Sequence, residues 1–238
     1  MKLDVLVFGA HPDDVEMSCG GTLAKMVKAG KKVGIIDLTK GDMGTRGTPE
    51  IRVAEGESAA EILGVSVREN LGFRDCFFTE DEAHIKEIAR VIRKYQPEIV
   101  IANAYHDKHP DHGRGSKLVR NAAHMSGFIK LETYEQGQLQ TRWRPKRVFF
   151  YIQDMELKPD FIVDITEFFE IKIESIRAHK SQFFDPESTE PETYISTPAF
   201  WDSFEYRMKT MGHIVGVKYA EGFTSEITPK INLITDLL

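Results

Sequence analysis

Apolar and polar positions follow two periods along this chain. Leu3–Ala10 (LDVLVFGA), Val33–Thr39 (VGIIDLT) and Glu98–Ala102 (EIVIA) are compact apolar runs of strand length. Between them, Thr22–Lys31, Ile51–Gly64 and Glu82–Tyr95 place apolar residues at helical spacing, as with Ile85, Ile88, Ala89 and Ile92. Gly30 and Gly64 stop the first two helices and Pro97 ends the third. Strands alternating with amphipathic helices predict βαβ units: an α/β fold with a mainly parallel sheet and helices on both faces. No repeat or linker divides the chain, so a single domain is expected over residues 1–238.

The last third has another texture. RVFFYIQ and DFIVDI read as strands, and Thr166 is expected to cap a helix that buries Phe169, Ile173 and Ile176. A further helix carries Trp201, Phe204, Met208 and Met211 and is expected to end at Gly212. Its aromatic and methionine stripe reads as core or subunit contact rather than a cofactor box. Asp185–Phe200 is acidic and proline-rich, a long loop of the kind that covers active sites.

Composition narrows the class. With 41% hydrophobic and 29% charged residues in a chain of 238, a folded globular protein is expected. The net charge of -6 argues against a nucleic-acid partner. No apolar stretch approaches the roughly 20 residues of a membrane helix. The short apolar start is broken by His11 and Pro12 and does not read as a secretory signal. Two cysteines without a CxxC pair fit a reducing cytoplasm, and Cys19 and Cys76 are read as small buried residues.

Candidate chemistry collects where three predicted strands end. His11, Asp13 and Asp14 follow the first, KGDMGTRGT (Lys40–Thr48) the second, and NAYHDKHPDHGRG (Asn103–Gly115) the EIVIA strand. In an open parallel sheet these ends share one edge, where ligands bind. Three histidines, His106, His109 and His112, fall within seven residues. His11, Asp14 and one histidine of that second cluster would give a set of two histidines and a carboxylate. Catalytic zinc takes such a set and keeps a position for water; non-heme iron(II) accepts it too. Of two adjacent aspartates, one can hold metal while the other stays free as a general base.

On these residues the chain resembles the LmbE-like (PIG-L) family of zinc-dependent N-deacetylases. The motif A-H-P-D-D-x-E followed by G-G stands as Ala10–Glu16 and Gly20–Gly21, and H-P-D-H as His109–His112. The resemblance implies a Rossmann-like sheet, one zinc held by His11, Asp14 and His112, and Asp13 as general base. It also implies that His109 stabilises the oxyanion or acts as acid, held by Asp111, which would favour its charged form. Arg52 matches an arginine that contacts substrate, and a homo-oligomer, often a hexamer, is implied. Asp37–Glu55 and RAHKSQF (Arg177–Phe183) are similar to the bacillithiol-pathway branch, which deacetylates N-acetylglucosaminyl-malate.

The remaining residues receive smaller roles. Arg46 and Arg52 are candidates to receive a substrate carboxylate, and Tyr194 to reach the site from the acidic loop. Glu16 reads as a support or helix cap, and Gly20 and Gly21 as permitting close backbone packing. The substrate is expected to be a small acetylated amino sugar, N-acetylglucosaminyl-malate first. A chitin oligomer or sugar–inositol conjugate is the alternative, and a non-catalytic metal- or sugar-binding protein the rival from another class. An arginine-ringed pocket would favour the acidic substrate and an open apolar groove the oligosaccharide.

Overall fold

The structure, a computed structural model, describes residues 1–237. Its central sheet has seven strands in the order β3-β2-β1-β4-β7-β9-β8. The strands are β1 (Val5–Gly9), β2 (Val33–Thr39), β3 (Val67–Phe73), β4 (Ile99–Ala102), β7 (Arg147–Tyr151), β8 (Phe161–Asp164) and β9 (Ala220–Thr224). A two-residue hairpin, β5 (Tyr134–Glu135) and β6 (Gln138–Leu139), stands apart. Pairing is parallel from β3 through β7, whereas β9 runs antiparallel to both β7 and β8. The fold is thus α/β with a mostly parallel sheet.

The helices are α1 (Asp14–Lys28), α2 (Pro49–Leu63), α3 (Glu82–Tyr95), α4 (Pro110–Met125), α5 (Phe169–Arg177) and α6 (Pro198–Val215). Alternation along β1 shows why its sequence is apolar throughout. Leu6 and Phe8 join a core with Ile88, Ile92, Leu118 and Val119 of α3 and α4. Val5 and Val7 join another with Val15, Leu23 and Leu63 of α1 and α2. A strand covered on both faces has no polar side to show. Among the described residues no helix is long and apolar enough to cross a membrane.

Several boundaries depart from the sequence expectation. The first helix begins at Asp14, eight residues before Thr22, because it crosses a kink at Cys19 (φ −142°). At the kink the N–H groups of Gly21 and Thr22 donate to the Glu221 carboxylate at 3.0 and 2.7 Å. Lys172 donates to the carbonyl of Met17 at 2.7 Å, so a buried ion pair replaces helix hydrogen bonds. A Cβ at Gly21 would lie 2.8 Å from Ile165, in keeping with close packing there. Thr166 does not cap α5; it opens a 3-10 turn and its hydroxyl donates to Asp164 at 2.7 Å. Gly212 does not end α6, which runs to Val215 and stops at Gly216 in the left-handed region. A Cβ at Gly212 would sit 2.6 Å from the Val217 carbonyl oxygen, so that glycine serves the chain's close return.

Candidate metal centre

The chain moves outward from β1 to β2 and β3, then returns to β4 on the other side of β1. The crevice at this reversal is where open α/β sheets bind ligands. His11, Asp13 and Asp14 leave β1 there, and the loop after β4 delivers His109 and His112 opposite them. In the second loop Pro110 occupies the first turn of α4, and the His109 ring caps it, its Nδ1 accepting from the N–H of Asp111 at 3.2 Å. That cap fixes where the helix starts and so where His112 points.

His11, Asp14 and His112 meet although about a hundred residues separate their loops. Nε2 of His112 lies 3.1 Å from Oδ1 of Asp14, and Nδ1 of His11 lies 3.6 Å from Oδ2. Donor atoms of His11, His109 and His112 fall within 4.8 Å of one another. Burial pushes the His11 and His112 imidazoles down, but surrounding carboxylates override it: His11 rises well above its ordinary value and His112 rises to about 9. Burial raises Asp14, and His112 then pulls it well below the carboxylate range. Such a buried, electron-rich set of two imidazoles and a carboxylate fits a divalent cation.

Four supporting residues carry no sequence motif. Asn103 and Gln153 donate to the two oxygens of Asp14 at 2.9 and 3.1 Å. Asp107 engages Nδ1 of His112 at 2.9 Å, and Asp75 engages Nε2 of His11 at 3.0 Å. Each follows the end of a sheet strand: β3 for Asp75, β4 for Asn103 and Asp107, β7 for Gln153. That shared position is the signal by which they could have been found.

Asp13 stands beside this set with a different neighbour. It occupies φ 122°, a region that strains any side chain but glycine. Its Oδ2 accepts from Nη2 of Arg52 at 3.1 Å, and both side chains are buried. Burial raises the Asp13 carboxyl above its ordinary value while Arg52 draws it back. Arg52 also donates from Nη1 to the carbonyl of Gly41 and from Nη2 to that of Pro12, while its Nε has no partner.

Asp111 corrects an expectation. Its carboxylate accepts from the N–H of Cys76 at 2.9 Å and from Arg114, and it lies 3.4 Å from Nε2 of His11. Only its backbone N–H reaches His109. Nor is the charged form of His109 favoured, because burial and the neighbouring imidazoles of His11 and His112 lower its pKa.

A cavity of about 1340 Å³ opens over the centre. His11, Asp13, His109 and Arg52 lie at one end; Met155, Leu157, Phe200, Phe204, Met208 and Tyr206 line the rest. The aromatic and methionine stripe of α6 is therefore core and cavity wall together. Tyr194 does reach this cavity, its hydroxyl donating to Asp154 at 3.1 Å. Lys108 and Arg207 bind the same carboxylate at 2.8 and 2.5 Å. Arg46 does not line the cavity. Its buried guanidinium donates to Ser188 at 2.6 Å and pairs with Glu190, pinning the acidic loop. Gln182 of RAHKSQF lines the wall and donates to the Arg46 carbonyl at 2.8 Å. Glu16 pairs with Arg68 below the site rather than capping α1. Cys19 is buried as expected, but Cys76 is exposed at the cavity rim.

Fold and site together present a candidate centre for a divalent cation on the strand-end loops of an α/β sheet. The chain belongs to the PIG-L family (GlcNAc-PI de-N-acetylase), whose model matches residues 6–123. It is 32% identical over 237 residues to the diacetylchitobiose deacetylase of Thermococcus kodakarensis, spanning 92% of this chain and 81% of that one. It is 28% identical over 196 residues to the "Probable N-acetyl-alpha-D-glucosaminyl L-malate deacetylase 2" of Bacillus cereus, spanning 76% and 84% respectively. Among solved structures it is similar to a conserved protein from Thermus thermophilus, with a TM-score of 0.85 and 34% identity. That match covers 96% of this chain and 97% of the other.

Proposed function

We propose that this chain is a zinc-dependent N-deacetylase that releases acetate from an N-acetylglucosamine-type sugar, a short neutral oligosaccharide of the diacetylchitobiose kind. The observation that carries the reading is Asp13: a buried carboxylate beside the ligand set, outside it, and held by Arg52. A zinc ion held by His11, Asp14 and His112 would supply Lewis acidity toward the acetamide oxygen and lower the pKa of bound water. Asp13 takes the proton from the attacking water, and its raised pKa brings it closer to that task than an ordinary aspartate. Neutral His109, whose Nδ1 accepts from the N–H of Asp111, keeps its proton on Nε2 and directs that N–H as a hydrogen bond to the charge developing on the carbonyl oxygen. Asp13, once protonated, holds a proton that the leaving nitrogen can take.

The substrate preference follows from what the arginines are doing. Arg46 is outside the cavity and Arg52 is paired with Asp13, which leaves Arg207, itself held by Asp154, as the remaining arginine of the lining. The wall instead offers the exposed rings of Tyr194 and Tyr206, faces suited to packing against pyranose rings. The likeness to the Thermococcus protein supports the same choice. N-acetylglucosaminyl-malate is the second reading, favoured by Lys108 and Arg207 at the rim, two cations on the single carboxylate of Asp154.

Acetate release from diacetylchitobiose, N-acetylglucosamine and N-acetylglucosaminyl-malate, with and without chelator, tests both. The first reading predicts chelator-sensitive release that is fastest from diacetylchitobiose; preference for the malate conjugate selects the second. No release from any of them by the zinc-loaded protein overturns the enzyme reading and leaves a binding protein.

A further inference from the structure

We infer that Asp154 is the specificity-determining residue of this cavity: by holding Lys108 and Arg207 on one carboxylate, it turns away sugars that carry a carboxylate of their own. The inference rests on the deacetylase reading proposed above and deepens it by assigning the residue that sets the charge of the substrate. Among the cations lining the cavity, Arg52 is paired with Asp13 and Lys172 with Glu221. Lys158 shares its loop with Glu156, which offsets it in sign. Lys108 and Arg207 remain, and both converge on Asp154. Nζ of Lys108 lies 2.8 Å from Oδ2, and Nη1 of Arg207 lies 2.5 Å from Oδ1. Tyr194 completes the cluster, donating its hydroxyl to Oδ1 at 3.1 Å.

The members of this cluster are also held from a second side. The N–H of Asp154 donates to Oδ2 of Asp107 at 2.9 Å, which ties the loop after β7 to the loop that carries His109 and His112. The Arg207 guanidinium lies 5.7 Å from both the Phe200 and Phe204 rings, and the Lys108 ammonium 5.3 Å from that of Tyr194. Lys108 directly precedes His109, so the charges border the reacting end of the cavity. Burial pushes the Asp154 carboxyl up, but Lys108 and Arg207 outweigh it and keep it below its ordinary value. A substrate carboxylate entering here meets a fixed negative charge and two cations whose hydrogen bonds are already made. A neutral sugar hydroxyl meets no such opposition.

The test compares N-acetylglucosaminyl-malate with its dimethyl ester, the same skeleton without the charge, as substrates of the zinc-loaded full-length protein. The unsubstituted chain should take the acid no faster than the ester; a faster acid would overturn the inference, and this arm decides even where a variant fails to fold. In Asp154→Asn the ratio of kcat/KM for acid over ester should rise about tenfold or more, the worth of a charge-assisted hydrogen bond, through KM for the acid. Added salt should shrink that gain, and Arg207→Gln placed on Asp154→Asn should reverse it. An unchanged ratio, or equal losses for both substrates, would contradict the assignment. So would rejection of the ester along with the acid while diacetylchitobiose is cleaved, because charge would then not be what decides. Acetate release from none of the three would instead sink the deacetylase reading, a distinguishable failure.

Discussion

Arg52 of α2 and Asp13 at the opening of α1 form a buried ion pair, with Nη2 3.1 Å from Oδ2. The pair joins a residue expected to bind substrate to one expected to abstract a proton, and gives the arginine its work: holding the base ionised where burial opposes charge. Arg52→Met should therefore raise the Asp13 pKa further and move the acidic limb of the kcat/KM profile to higher pH. An unshifted limb would separate Asp13 from that limb or Arg52 from Asp13.

In the proposed mechanism Asp13→Asn removes the general base and leaves His11, Asp14 and His112 in place. Turnover should fall by on the order of 10²–10⁴, the usual worth of positioned acid–base help, while bound metal stays at the wild-type level. Metal analysis on the protein used for the rate assay checks both halves. Near-wild-type turnover would end the assignment of Asp13.

Arg46 offers a test of a different kind. Because it pins Ser188 and Glu190 instead of lining the cavity, Arg46→Met should hasten proteolysis within the acidic loop and leave KM for an acidic sugar little changed. A large rise in KM for N-acetylglucosaminyl-malate alone would restore its substrate role.

Below the site, burial pushes the Glu16 carboxyl up, but Arg68 and His179 outweigh it and bring the pKa to about 2. A folded-state pKa below the ordinary 4.5 means stability that is fully present above 4.5 and lost as pH falls through about 2. The window is worth on the order of 3 kcal/mol. Asp37, which shares Arg68, is raised by burial and works in the opposite sense. Comparing wild type with Glu16→Gln isolates the glutamate: the variant's unfolding free energy should vary less between pH 4.5 and 2. Parallel acid-unfolding curves would contradict this.

How legible all this was depended on the kind of residue. Strands covered on both faces, β1 and β2, show as apolar runs, and amphipathic α3 is bounded by Asp81 and Gln96 as its pattern predicts. Edge strand β3 is half-exposed and carries charged residues, so no apolar run marks it. The strand β9 hides because buried Glu221 interrupts it to serve the α1 kink. Residues that face the centre from within a motif, such as His11 and His112, are visible in the sequence; Asn103 and Asp107 lie in the quoted cluster without a motif of their own, and Asp75 and Gln153 are single polar residues past strand ends, so their contacts with the site come only from the structure. Asp111 was misplaced because sequence proximity to His109 does not fix where a side chain in the first turn of a helix points. Its carboxylate turns to the β3 loop instead.

Metal content of the ligand variants tests the central claim most directly. Equilibrated with zinc and freed of excess by dialysis, the wild-type chain should retain one ion, and His11→Ala and His112→Ala should each lose it while keeping a cooperative thermal transition. If either folded variant retained zinc as the wild type does, the two loops would not share an ion and the centre described here would be wrong.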